Sequence, residues 1–306
     1  MTSDALVTWL LQANTPSIRY LTTKNFRPAN HTDSQVSFTE MENFGPIPAI
    51  LGKQAKSGAW QGEHSFYTPK YKSTHWSMLL LSELAADPSD GRLRRGAEFM
   101  LEAALKQPLW WLEEYQPGIA CFWANLLRYS LHAGFIHDVR VDAVIGILVD
   151  NALRVSWRCH YNHELPCAWG AGRALWGLAA IPIEKRSLQI DAAVQSGLSF
   201  LLDEYSLVEA NYPVQREGKV NKLWSRLNFP LFYQADILLV LRALAELGEL
   251  NHPGAALALE WLRDRRTSSG RWRGASPFRQ RTWPLGDSQE TDRWVSLQAA
   301  TILDKA

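Results

Sequence analysis

Four stretches of the chain are apolar almost all the way round a helix. They are THWSMLLLSELAAD from Thr74, ACFWANLLRYSLHAG from Ala120, LPCAWGAGRALWGLAAIP from Leu165 and LFYQADILLVLRALAELG from Leu231. Leu84, Leu131, Leu178 and Leu244 occupy equivalent points in them, separated by 47, 47 and 66 residues. Between them run amphipathic stretches at 92–105, 139–153 and 188–204, whose charges fall on one stripe. A helix that is apolar all round belongs inside and one with a polar stripe belongs outside. Each repeat therefore predicts two antiparallel helices joined by a short link. The links are the turn signals at 87–91 (DPSDG), 132–134 (HAG) and 180–186. The last apolar helix, 294–303, has no partner after it, and pairing it with the helix near 47–54 would close a ring. The pattern predicts an all-α chain, an (α/α) toroid or barrel of about five to six hairpins.

Before the first repeat, residues 4–13 predict a short amphipathic helix, and Thr15-Pro16-Ser17 caps a second at 18–24. The stretch 27–40 is polar and irregular. We expect residues 1–44 to supply N-terminal helices and a polar loop that pack on the ring, and residues 45–306 to form one toroid domain. The longer third interval comes from extra residues between Ser206 and Leu227, in a charged run with Arg216, Lys219 and Lys222. Loops of that length often cover a site.

Composition narrows the class. Hydrophobic residues make up 46% of the chain, there are 14 tryptophans, and the formal net charge is +1. Disorder and general attraction to nucleic acid are excluded on those grounds. No apolar run is long enough to span a bilayer and the start lacks signal-peptide features, so a cytoplasmic protein is expected. Three cysteines are too few for a disulfide framework and read as thiols or metal ligands.

The heptapeptide 54–60, QAKSGAW, has the glutamine, glycine and tryptophan spacing of the repeat in squalene-hopene and oxidosqualene cyclases. Residues 265–272, RRTSSGRW, keep Gly270 and Trp272 of it. With the helical repeats in register, the chain resembles the alpha-alpha toroid superfamily of terpenoid cyclases and protein prenyltransferase β subunits. The similarity runs over about residues 45–306 and is closest to short bacterial prenyltransferase- or squalene-cyclase-like proteins. The resemblance implies an isoprenoid or other long apolar ligand in a central aromatic-lined cavity. The chain departs from the family in lacking both an Asp-x-Asp-Asp acid motif and an Asp-Asp-x-x-Asp diphosphate motif, so alkene protonation by that device is not expected. The resemblance to prenyltransferases also brings zinc into view.

Cys121 and Cys167 stand at the starts of successive apolar helices, 46 residues apart, so in a ring of parallel inner helices both sulfurs face one mouth. Cys159 and His163, or His160 in its place, lie in the loop RCHYNHELPC and complete a tetrahedral zinc set with them. Three small packed thiols are the alternative. Asp236 interrupts an apolar helix and is a candidate acid or a locally bonded carboxylate. His75 and Tyr233 stand near inner-helix starts as further catalytic candidates. Trp76, Trp123, Trp169, Trp176 and Trp294 are candidate ligand-binding aromatics, with Arg293 as a candidate anion partner. Two other classes fit the same pattern. One is a carbohydrate-active (α/α) barrel, with carboxylates from Glu63, Asp236 or Asp292 and sugars on the tryptophans; the other is a non-catalytic toroid that carries a lipid or a partner.

Overall fold

The structure is a computed structural model that describes residues 2–27, 38–106, 119–210 and 221–306. Most of the polar stretch 27–40, and Arg216 and Lys219 of the charged run, lie outside those residues. In chain order the helices include α1 (Asp4–Leu11), α2 (Pro16–Phe26), α3 (Pro46–Leu51), α4 (Thr74–Glu83), α5 (Gly91–Lys106) and α6 (Ala120–His132). They continue with α7 (Val139–Leu153), α8 (Ala168–Ala179), α9 (Leu188–Leu198), α10 (Ile237–Leu247), α11 (Ala256–Asp264) and α12 (Ser288–Lys305). Strands β1 (Arg158–Cys159) and β2 (Leu165–Pro166) pair antiparallel between α7 and α8. No helix among the described residues is long and apolar enough to cross a membrane.

The chain divides into two units. The first comprises Met1–Phe99, Leu227–Leu231 and Leu262–Ala306, and the second Met100–Arg226 and Phe232–Trp261.

In the first unit, α4 is buried along nearly its whole length, from Thr74 to Leu81, as its all-round apolar pattern requires. The heptapeptide 54–60 forms a tight turn. Ala55 N–H donates to Ala59 O (2.8 Å) and Gly58 N–H to Ala55 O (3.0 Å), with Gly58 in the left-handed region at φ 95°. Only glycine adopts that conformation without strain, and a Cβ there would also meet Arg95 O at 2.4 Å. Gln54 Nε2 donates to Gly58 O (3.1 Å) and Arg92 O (2.8 Å). Trp60 Nε1 donates back to Ile50 O at the end of α3 (2.8 Å), and its backbone N–H donates to Thr74 Oγ1 at the start of α4 (3.0 Å). The buried indole therefore ties one helix end to the next helix, its N–H joining that of Lys53 on the Ile50 carbonyl.

Residues 266–272 repeat this arrangement. Thr267 N–H donates to Arg271 O and Gly270 N–H to Thr267 O, both at 2.8 Å, with Gly270 at φ 77°. Trp272 Nε1 donates to Leu262 O (2.7 Å) and Trp272 N–H to Ser296 Oγ on α12 (2.9 Å). Arg266 takes the place of the glutamine, its Nε donating to Gly270 O (3.1 Å). The degenerate second copy is a structural copy.

The N-terminal helices are held by one carboxylate on α12. Glu290, 1% exposed, accepts from Thr15 N–H (2.8 Å) and Asn14 N–H (3.1 Å) in the α1–α2 link and pairs with Arg293. Burial alone would raise its pKa. The bonds from Thr15, Arg293 and Asn14 outweigh that and hold the carboxyl below its ordinary value of 4.5.

In the second unit α8 packs against both α6 and α10. Its small residues allow this. A Cβ on Gly177 would meet Ala124 O at 2.9 Å, and one on Gly172 would meet Val240 Cγ2 at 3.1 Å. The apolar helices α6, α8 and α10 bury most of their positions, whereas the amphipathic α7 and α9 bury one stripe each.

Candidate functional site

The starts of α6, α8 and α10 carry the chemistry of the second unit. Cys121 lies in the first turn of α6, Cys167 is the N-cap of α8 with its sulfur accepting from Gly170 N–H (3.4 Å), and Asp236 is the N-cap of α10. Cys121, Cys167, Trp169 and Tyr233 are half-buried, so these helix starts are where the apolar bundle meets solvent. Trp169 and Tyr233 meet edge to face, with ring centroids 6.0 Å apart.

Beneath them lies a polar layer. Arg173 is fully buried in α8, its Nε donates to Gln234 O (2.8 Å), and its Nη1 reaches Asn125 Oδ1 at 3.5 Å. Asn125 Nδ2 in turn donates to Phe232 O (2.9 Å). Gln234 is 3% exposed, and its Oε1 has no hydrogen-bond partner among the described residues. Sequence reasoning did not single out Asn125, Arg173 or Gln234. The signal was there: each is a polar side chain inside or just before an apolar helix, and Arg173 is a full charge within one.

The three thiols lie near one another. The Cys167 thiol donates to the Cys159 sulfur, and Cys121 lies close enough to feel both. That bond, with backbone N–H groups of Tyr161 and Asn162 outweighing burial, lowers Cys159 to about 7. Cys167 is pushed up by the same bond and by burial, and Cys121 is pushed up to about 12, chiefly by burial. His163 is exposed, in left-handed backbone at φ 56°, and His160 bonds Glu164 (2.9 Å). Among the described residues no group of three or more His, Cys, Asp or Glu is placed to hold a metal ion, which leaves the expected zinc set without support.

Other expected site residues stand in structural settings. The sequence pattern put Asp236 inside a helix. It precedes the helix instead: its Oδ1 accepts from Leu239 N–H (2.8 Å), and this cap accounts for a buried carboxylate in an apolar stretch. Trp176 is buried with three guanidinium groups, of Arg128, Arg242 and Arg173, at 4.4, 5.2 and 5.3 Å from its ring centroid. Trp123 is fully buried beside Phe122.

In the first unit, His75 is buried in the first turn of α4 against Tyr67 and Trp76, and Trp76 Nε1 donates to Tyr67 O (2.8 Å). Arg293 pairs with Glu290 and lies over Trp9 at 5.2 Å. Asp292 accepts from Gly274 N–H (2.7 Å), and Glu63 is exposed. Trp294 stacks on Phe229 at 4.4 Å and lines a narrow cleft with Arg279, Trp283 and Thr291. The cleft has an empty volume of about 240 Å³, open solvent included. Its aromatic walls are nearly buried.

This helical architecture has solved counterparts. The chain matches a glycosyl hydrolase family 88 protein from Bacteroides vulgatus over 99% of both chains, at TM-score 0.53 and 12% identity. It matches a polysaccharide lyase, BACCELL_00875, over 98% of this chain and 97% of that one, at TM-score 0.51 and 12% identity. No family model matches the sequence, and no curated protein does. The likeness defines the fold class as an all-α (α/α) toroid. The resemblance to terpenoid cyclases carries at the level of that fold; the two matched structures bear the names of carbohydrate-acting proteins.

Proposed function

We propose that the chain is a carbohydrate-active protein of the (α/α)-toroid class, and that a saccharide ring rests on Trp169 and Tyr233. The observation that carries this reading is the match along nearly the whole chain to a glycosyl hydrolase and a polysaccharide lyase. The aromatic pair adds chemical sense. Half-buried aromatics at helix starts present a face to the apolar C–H side of a sugar, and the half-buried Cys121 and Cys167 lie at neighbouring helix starts. The isoprenoid ligand expected from the sequence has weaker support, because neither matched structure is named for such a molecule.

Two carboxylates flanking a glycosidic bond are the usual hydrolytic pair. Asp236 caps α10 and Asp292 holds Gly274, so the reading commits to the saccharide and assigns no catalytic pair. The test is a glycan array followed by calorimetric titration of the best oligosaccharide. Trp169→Ala should weaken binding about tenfold or more while leaving the thermal midpoint nearly unchanged, as expected for loss of an aromatic anchor. A folded protein that binds no glycan, or a Trp169→Ala variant with full affinity, would overturn the reading.

A further inference from the structure

The β1–β2 hairpin sets Cys159 against Cys167. Its register pairs Cys159 with Leu165 and Arg158 with Pro166, and Cys167 N–H donates to Trp157 O (2.9 Å), which extends the ladder one step. Side chains alternate along a strand, so Cys159 and Leu165 share a face, and Cys167, two residues on, shares it too. The two sulfurs are diagonal neighbours, and the Cys167 thiol donates to Cys159. Cys121 approaches from another element, the first turn of α6.

From this juxtaposition we propose that Cys159 and Cys167 are a redox-active dithiol that hydrogen peroxide closes to a disulfide. One thiol ionises, and its thiolate attacks one oxygen of hydrogen peroxide, forming an S–O bond as the O–O bond breaks. The leaving hydroxide becomes water by taking the proton of the other thiol. That second sulfur then attacks the sulfenic sulfur, the S–S bond forms and the S–O bond breaks, and the second oxygen leaves as hydroxide, which becomes water with the proton that the first thiol released on ionising. Two thiols and one peroxide give one disulfide and two waters. A small dithiol reductant reverses the step by exchange.

Burial keeps Cys121 protonated and therefore a poor nucleophile. Cys159 is 7% exposed, which suits an oxidant as small as peroxide. The proposal is independent of the carbohydrate reading.

The test uses the reduced full chain, treated with hydrogen peroxide, alkylated under denaturing conditions and mapped by peptide mass spectrometry. The free-thiol count should fall from three to one, the survivor being Cys121, with a peptide crosslink between Cys159 and Cys167. Cys121→Ser should form the same crosslink. Cys167→Ser keeps a good N-cap for α8, and in it Cys159 should stop at sulfenic acid, trapped by dimedone. Three intact thiols, a bridge that includes Cys121, bridges only between chains, or zinc retained on these sulfurs would overturn the proposal.

Discussion

The turns at 55–59 and 267–271, both in the first unit, share their backbone bonds and their tryptophan but not the residue that opens them. Gln54 bonds two carbonyls, one of them Arg92 O across the unit. The Arg266 side chain bonds only Gly270 O among the described residues, and sets its guanidinium 5.4 Å from the Trp272 ring centroid. The comparison separates the essential parts from the replaceable one. A left-handed glycine and an indole N–H aimed at the preceding helix end recur unchanged, because the turn needs positive φ there and the buried indole needs an acceptor for its N–H. The opening side chain closes the turn on its own carbonyl in both copies, with glutamine in one and arginine in the other, and only Gln54 adds a bond across the unit.

The largest test of this equivalence is truncation of each tryptophan. Trp60→Ala and Trp272→Ala should each cost about 3–5 kcal/mol in chemical denaturation, for a fully buried aromatic lost with its bond. A cost for Trp272→Ala well below that for Trp60→Ala would show that the second turn does not tie its helices. A somewhat smaller effect separates the copies by charge. The second turn rests on α12, whose first turn holds Glu290, whereas the first rests on α4, which has no acidic residue there. Glu290→Gln should cost about 3 kcal/mol near neutral pH by leaving Arg293 buried without its partner. Because the folded pKa of Glu290 is depressed, its contribution is complete above 4.5 and is lost as pH falls through the lowered folded value. The gap between the thermal midpoints of wild type and Glu290→Gln should therefore shrink in acid; a constant gap would mean that the charge contributes nothing. The smallest effect is Arg266→Gln, which restores the residue of the first copy and should change stability by no more than about 0.5 kcal/mol.

Much of the fold was legible because helices are specified locally. The all-round apolar stretches became α4, α6, α8 and α10, and the striped ones became α5, α7 and α9. The heptapeptide at 54–60 was legible as a stability device, and its weak copy at 265–272 kept the two residues that matter. The site was legible in part. The near-repeat spacing of Cys121 and Cys167 placed both at helix starts, and Cys159 joined them through the hairpin. Trp176 and Arg293 were legible as aromatic and cation but not as residues already occupied by neighbouring cations and by Glu290. Asp236 was read as interrupting a helix that it caps.

The sequence by itself determined the helices, their caps, their inner and outer faces and the two tryptophan turns, since these depend on periodicity and on bonds within a few residues. Only the tertiary structure decided which polar groups meet. Arg173 finds Gln234 O at a separation of 61 residues, and Thr15 finds Glu290 at 275. Such pairs follow from how closely glycine-faced helices approach and which side chains then lose water, and no local pattern carries that information.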